Sequence, residues 1–208
     1  MLTIALISSY MSVAAMICYS YVWFILGAAF MFSGALYNSL YKHVNNSIAL
    51  ETEKGNVKAG KYIRISIIVN TIISVPVSIG MIFAMGPIMK FYGFGDGMVE
   101  LCSTYTYIAV IHNFASTTAG FISIATDING FADFNAKYAL CDGLVNIAIS
   151  AFIIPFGQPS LAQLGLIYFA IDVVSHWLYY YLTWYKWDLY CDYKKGMQAP
   201  ITYDVSLG

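Results

Sequence analysis

Apolar residues run in stretches longer than a water-soluble core requires, separated by short polar interruptions. A helix needs about 20 apolar residues to cross the hydrocarbon core of a bilayer. Six stretches approach that length: residues 2–18, 22–41, 65–89, 101–125, 138–156 and 161–185. The first two run together from Met1 to Tyr41 without a charge, and the aromatic, polar stretch from Cys18 to Trp23 is where an interfacial turn between them is expected. One long tilted helix is the competing reading and would give five spans. The pattern therefore predicts an all-α fold, a polytopic transmembrane bundle of about six spans in one domain over residues 1–208, ending in a short tail at 187–208. With no Lys or Arg ahead of the first run, a cleaved signal peptide is not expected, and an internal start at Met1 stays open.

Between the spans, the only substantial polar connection is Lys42 to Lys61. Its Ser47 to Lys54 segment is expected to prolong the second span, with Gly55 and Asn56 as the stop. The other connections are short, which favours antiparallel neighbours in one bundle. The aromatics Tyr179, Tyr180, Tyr181, Trp184, Tyr185, Trp187 and Tyr190 are placed at a headgroup level, and the last ten residues are expected to be loose.

Charge orients the pattern. Of the 10 basic residues, Lys42, Lys54, Lys58, Lys61, Arg64, Lys137, Lys186, Lys194 and Lys195 fall on one side of the predicted spans, and Lys90 alone falls on the other. The positive-inside rule makes the basic side cytoplasmic, with the C-terminus there and the cell membrane as the expected location. Composition agrees: 60% hydrophobic residues, 10% charged residues and a mean hydropathy of +0.68 leave too little charge to cover a soluble surface. The expected surroundings are lipid. A net charge of -1 with few basic residues gives no footprint for nucleic acid. Cys18, Cys102, Cys141 and Cys191 lack metal-ligand spacing. Cys18 and Cys102 fall near the same outer surface, so a pairing is open, though free thiols are the preferred reading.

Ionisable side chains inside a span are disfavoured by about 2.5 kcal/mol or more and ask for a partner or an aqueous cavity. Asp142, Asn146 and Ser150 recur every four residues as one polar stripe on the fifth span, and Asp172 and His176 are likewise four apart on the sixth. Facing stripes would line a cavity for a cation or a proton, with Asp172 and His176 as a titratable pair. The plainer alternative is hydrogen bonding between helices. Asn70 and Asn113 read first as interhelical bonders and second as cavity residues, and His112 beside Asn113 can face either helix or cavity. Pro76 and Pro87 are expected to kink the third span. Asp127 and Asp133 around Gly130 do not match an EF-hand and read as a solvated connection. No motif of a hydrolase, zinc protease or P-loop enzyme is present, so enzymatic activity is not expected; no cofactor is expected either.

The order of features from Val22 to Trp187 resembles one half of a multidrug and toxic compound extrusion (MATE) transporter, in the wider flippase superfamily. The stretch Glu53 to Ser66 is similar to that family's cytoplasmic connection after its second helix. Pro87 to Phe94, followed by Tyr107, is similar to its outer loop and the tyrosine opening the fourth helix. Asp127 to Leu140 is similar to its Arg-x-x-Gly loop, and Asn146 to Pro155 to the helix that follows. The resemblance implies a six-helix lobe. It also implies an antiporter coupled to sodium or protons that exports amphipathic or cationic organic compounds, with Tyr107, Asn70 and Asn113 as cavity candidates. The family's Asn-x-x-x-Asp is departed from: Asn146 is present, but Ser150 stands at the aspartate and Asp127 at the loop arginine. Asp172 is the candidate replacement carboxylate, with Asn146 and Ser150 as neutral oxygen ligands and Asp142 and His176 nearby. A complete transporter of this kind has two lobes, so the expected partner is a second copy or a different half. A non-transporting accessory membrane subunit with the same bundle is the alternative. The 18 Tyr, 13 Phe and 9 Met suit a greasy cavity and lipid-facing positions equally.

Overall fold

The computed structural model describes residues 2–49, 53–186 and 191–200. These are helical almost throughout: α1 (Leu2–Tyr10), α2 (Val13–Ala29), α3 (Met31–Ile48), α4 (Glu53–Phe91), α5 (Asp96–Thr126), α6 (Ala132–Phe152), α7 (Leu161–Tyr180) and α8 (Cys191–Gln198). Wider π-helical turns join α5 to α6 at Asp127–Phe131 and prolong α6 through Ile153–Gly157 and α7 through Tyr181–Lys186. Lys54–Phe91, Asp96–Ile124, Ala132–Gly157 and Leu161–Lys186 are long and apolar enough to cross a membrane. The bent pair α2–α3 would make a fifth crossing. The protein is an all-helical integral membrane bundle, and the four later predicted stretches lie inside these four helices to within one residue.

The N-terminal region differs from the predicted spans 2–18 and 22–41. The first break falls at Met11 and Ser12, where Ser12 turns extended (φ -171, ψ 159) and its side chain accepts from the Ala15 N–H at 3.0 Å, capping α2. With nine residues, α1 is about 14 Å long, half of what a crossing requires. A second break at Phe30 bends α2 against α3 by 51°. The predicted turn from Cys18 to Trp23 is instead continuous helix. Cys18, Val22 and Leu26 form a buried stripe packed with Met85, Met89, Cys102 and Tyr105, and that packing outweighs the aromatic, interface-like composition. Cys18 and Cys102 are both free thiols, buried in the same cluster between α2 and α5.

Two further expectations change. Gly55 and Asn56 lie inside the first turns of α4 and do not end a helix, because α3 has already stopped at Ile48. Pro76 and Pro87 both lie inside α4, which spans 39 residues. The Asp127 connection is helical and tied down: Asn135 donates to the Asp127 carboxylate, and the Tyr179 hydroxyl lies 2.7 Å from Asn135 Oδ1 and 2.8 Å from Thr126 Oγ1. Trp187, Tyr190 and residues 201–208 lie outside the described residues, as do the expectations made for them.

Alternating helix directions gather Lys42, Lys54, Lys58, Lys61, Arg64, Lys137, Lys186, Lys194 and Lys195 at one end of the bundle. Lys90 sits at the other, 3.5 Å from Asp96. Phe24, Ile72, Phe83, Leu140, Phe152 and Val174 point outward along the flanks, as lipid-facing residues do. The centre is α5, which packs on α2, α3, α4 and α7.

At the basic end α8 lies on α4 at backbone contact. A Cβ at Gly60 would run into the Tyr193 carbonyl, and one at Gly196 into the Val57 carbonyl; neither obstacle is a side chain that can rotate away. Arg64 then satisfies the end of α8 by donating to the carbonyls of Met197 at 3.0 Å and Ala199 at 2.8 Å. Gly196→Val is therefore expected to lift α8 off the bundle. Limited proteolysis in detergent should cut before α8 in the variant and spare the wild type, while far-UV circular dichroism stays nearly unchanged. Equal resistance in both would refute the tight contact.

Candidate functional site

On α6 the predicted stripe forms. The Asn146 amide donates to the Asp142 carbonyl at 3.1 Å and carboxylate at 3.3 Å, and Ser150 Oγ donates back to the Asn146 carbonyl at 2.6 Å. Ser150 also meets the Tyr168 hydroxyl of α7 at 2.6 Å. The pairing on α7 is not the predicted one. His176 folds back along its own helix, its Nδ1 2.6 Å from the Asp172 carbonyl, because a helical side chain leans toward the preceding turn. The Asp172 carboxylate instead crosses to α5, where it meets His112 Nε2 and accepts from Ser116 Oγ at 3.3 Å. The side chains of His112 and Asp172 are 16% and 22% exposed, so the pair is largely shielded.

One cavity lies against this pair and a second lies beside Ser116. One, of about 230 Å³, is lined by His112, Asp172, Asn146 and Ser150 together with the aromatics Tyr19, Trp23, Tyr105 and Tyr168. The other, of about 290 Å³, lies toward the basic end, and Ser116, Asp127, Asn135, Asp142 and His176 are among its walls. His112 faces the first cavity and Ser116 the second, and both bind the one Asp172 carboxylate. The Asp172–His112–Ser116 contact thus connects the wall of the first cavity to the wall of the second.

Aromatic rings hold the histidine in place. The Trp23 ring meets the His112 ring edge-on with centroids 5.4 Å apart, and its indole N–H donates to the Tyr105 hydroxyl at 3.1 Å. Asp172, Asn146 and Ser150 line one cavity, and Asp142 and His176 line the other. The remaining candidates are elsewhere. Tyr107 faces outward and is 53% exposed. Asn70 is fully buried between α3 and α4, where its carbonyl oxygen accepts from Ser33 at 3.0 Å, and Asn113 lies outside both cavities with its buried amide nitrogen unbonded.

Sequence reasoning missed His112 as the partner of Asp172, and missed Tyr19, Trp23 and Tyr105. One signal was available: Tyr105, His112, Ser116 and Ser123 fall on one face of α5 at spacings of seven, four and seven. No family model, curated protein or solved structure matches this chain.

Proposed function

We propose that the chain is one lobe of an alternating-access exporter, a MATE-like antiporter that moves amphipathic or cationic organic compounds outward against an inward flow of protons. The observation that carries this reading is the Asp172–His112 pair, which lines one cavity and reaches the wall of a second through Ser116; in this reading the pair is the partition between them. Charged groups at membrane depth are retained where they serve an ion or proton path. The basic end is the cytoplasmic one in this reading. A proton reaching Asp172 from the cavity beyond it neutralises the carboxylate and weakens its hold on His112, which loosens α5 from α7. The proton is then released through the opposite cavity as the pair re-forms. A second copy of the chain supplies the other lobe, with the organic substrate carried between them.

The test is transport by the full chain reconstituted in vesicles of neutral lipid. Ethidium is expected to accumulate in vesicles loaded at acid pH and to stop accumulating when an ionophore collapses the pH gradient. A sodium gradient driving the same uptake would replace the proton as the coupling ion. Absence of uptake under either gradient, with the protein shown to be dimeric and folded, would refute the exporter reading.

A further inference from the structure

The helix α7 packs on α5 and stands off from α6, leaving a lipid-facing groove of about 450 Å³ between α6 and α7. Val145, Ile149, Ile171, Val174 and Leu178 make its walls apolar. From Tyr138 to Ile149 the groove follows three turns of α6, about 16 Å. Only one end is polar: Tyr138, Asp142 and Ser175, which also line the cavity toward the basic end of the bundle. The groove and that cavity share this polar wall, where the Tyr138 hydroxyl of α6 lies 3.2 Å from Ser175 Oγ of α7.

The walls choose the sign of an occupant. Asp127 and Asp142 contribute carboxylates to the inner cavity, whereas no Lys or Arg lines either part. Asp127 is already held by Asn135, and Asp142 accepts only the long bond from Asn146, which leaves acceptor capacity at the polar end of the groove. We infer that this groove binds a single-chain amphipathic cation, its tail along the apolar walls and its charged head on Asp142. Such a molecule resting in the leaflet at the basic end already has its head toward that end and its tail toward mid-bilayer, so it enters sideways without turning over. Burying the chain against apolar walls offers little over lipid, so the Asp142 carboxylate supplies the selectivity. The inference deepens the exporter reading by assigning the entry route and substrate shape, but binding here is measurable without transport.

Cys141 is the reporter: it is free, exposed and part of the groove wall. In phosphatidylcholine vesicles, with Cys191→Ser removing a competing thiol, the rate of N-ethylmaleimide labelling is measured with three additives. These are decyltrimethylammonium, tetramethylammonium and decanesulfonate. Decyltrimethylammonium is expected to slow labelling at least fivefold, and neither of the others to do so. Asp142→Asn should abolish the protection and Asp172→Asn should leave it intact. A Leu140→Cys, Cys141→Ser, Cys191→Ser protein, whose thiol lies one residue outside the groove, should show no slowing. Equal protection by decanesulfonate would mean a non-selective lipid groove, drawing on Lys137 one turn away, and would overturn the inference. So would full protection in Asp142→Asn, or none in the wild type. Protection without ethidium transport refutes the exporter and keeps this site, while transport without protection does the reverse.

Discussion

Asp172→Asn is expected to lower proton-driven ethidium uptake at least tenfold while leaving most of the protein folded. The asparagine retains the shape of the aspartate and can still bond His112 and Ser116, so a purely structural role predicts transport near the wild-type rate. A role as the titrating partition predicts loss, because the amide cannot take up and give back a proton. The complementary variant separates the two members. His112→Ala leaves the Asp172 carboxylate with Ser116 as its one remaining side-chain hydrogen bond in a shielded site, at a cost of about 3 kcal/mol, typical of removing one partner of a buried pair. Asp172→Asn keeps a hydrogen-bonding side chain of the same shape opposite His112 and should cost about 1 kcal/mol. Thermal denaturation followed by size-exclusion should rank His112→Ala well below Asp172→Asn, whereas transport should be lost in both. Since the pair acts as a unit, the double variant should transport no worse than either single one. Additive losses would show that the two residues act separately.

The long helices were legible because lipid imposes a blunt requirement: a crossing helix must be long, apolar and nearly uncharged, and α4 to α7 announce themselves that way. The first 48 residues were not legible by the same rule. With no charge between Met1 and Tyr41, nothing in composition marks where the chain turns, and the breaks are set by a single serine cap at Ser12 and by the backbone of Phe30. The stretch from Cys18 to Trp23 looks interfacial because it is aromatic. Tyr19 and Trp23 instead face a cavity inside the bundle, an environment equally suited to a ring with a polar edge, while Tyr21 packs on Tyr92 and Phe94.

The candidate site was half visible for a related reason. Spacing within one helix is readable, so the Asp142–Asn146–Ser150 stripe and the isolation of Asp172 in apolar sequence could be seen. Which helix faces which is not. The i to i+4 spacing of Asp172 and His176 suggested partners on one helix, yet the carboxylate is better served by a ring donor crossing from α5 than by a neighbour whose Nδ1 is already committed to a backbone carbonyl. Side-chain groups at membrane depth take the best available partner, and that choice depends on helix packing.

That packing is set two turns away, and Gly165→Val should show it. The helices α5 and α7 both run toward the basic end, and their contacts repeat with a shared offset: Tyr105 meets Gly165, and seven residues on in each helix His112 meets Asp172. A seven-residue repeat keeps one seam facing its partner along both helices. A Cβ at Gly165 would lie 2.8 Å from Tyr105 Cε2 and 3.2 Å from Ile108 Cγ2. Tyr105 is 2% exposed with its hydroxyl held by Trp23, so the ring cannot withdraw without breaking that bond. The bulk of valine must therefore push α7 away from α5, costing about 1–3 kcal/mol as overpacking and more if the His112–Asp172 contact opens with it. Gly165→Val is expected to lower the temperature at which half the protein stays monodisperse and to reduce ethidium uptake at least tenfold, although residue 165 touches neither partner of the pair. Gly165→Ala should lie between valine and wild type. Trimming the obstacle with Tyr105→Leu in the Gly165→Ala background should recover stability relative to Gly165→Ala alone. If the valine variant is as stable and as active as the wild type, the seam at Gly165 does not position the pair, and the link from helix packing to the partition fails.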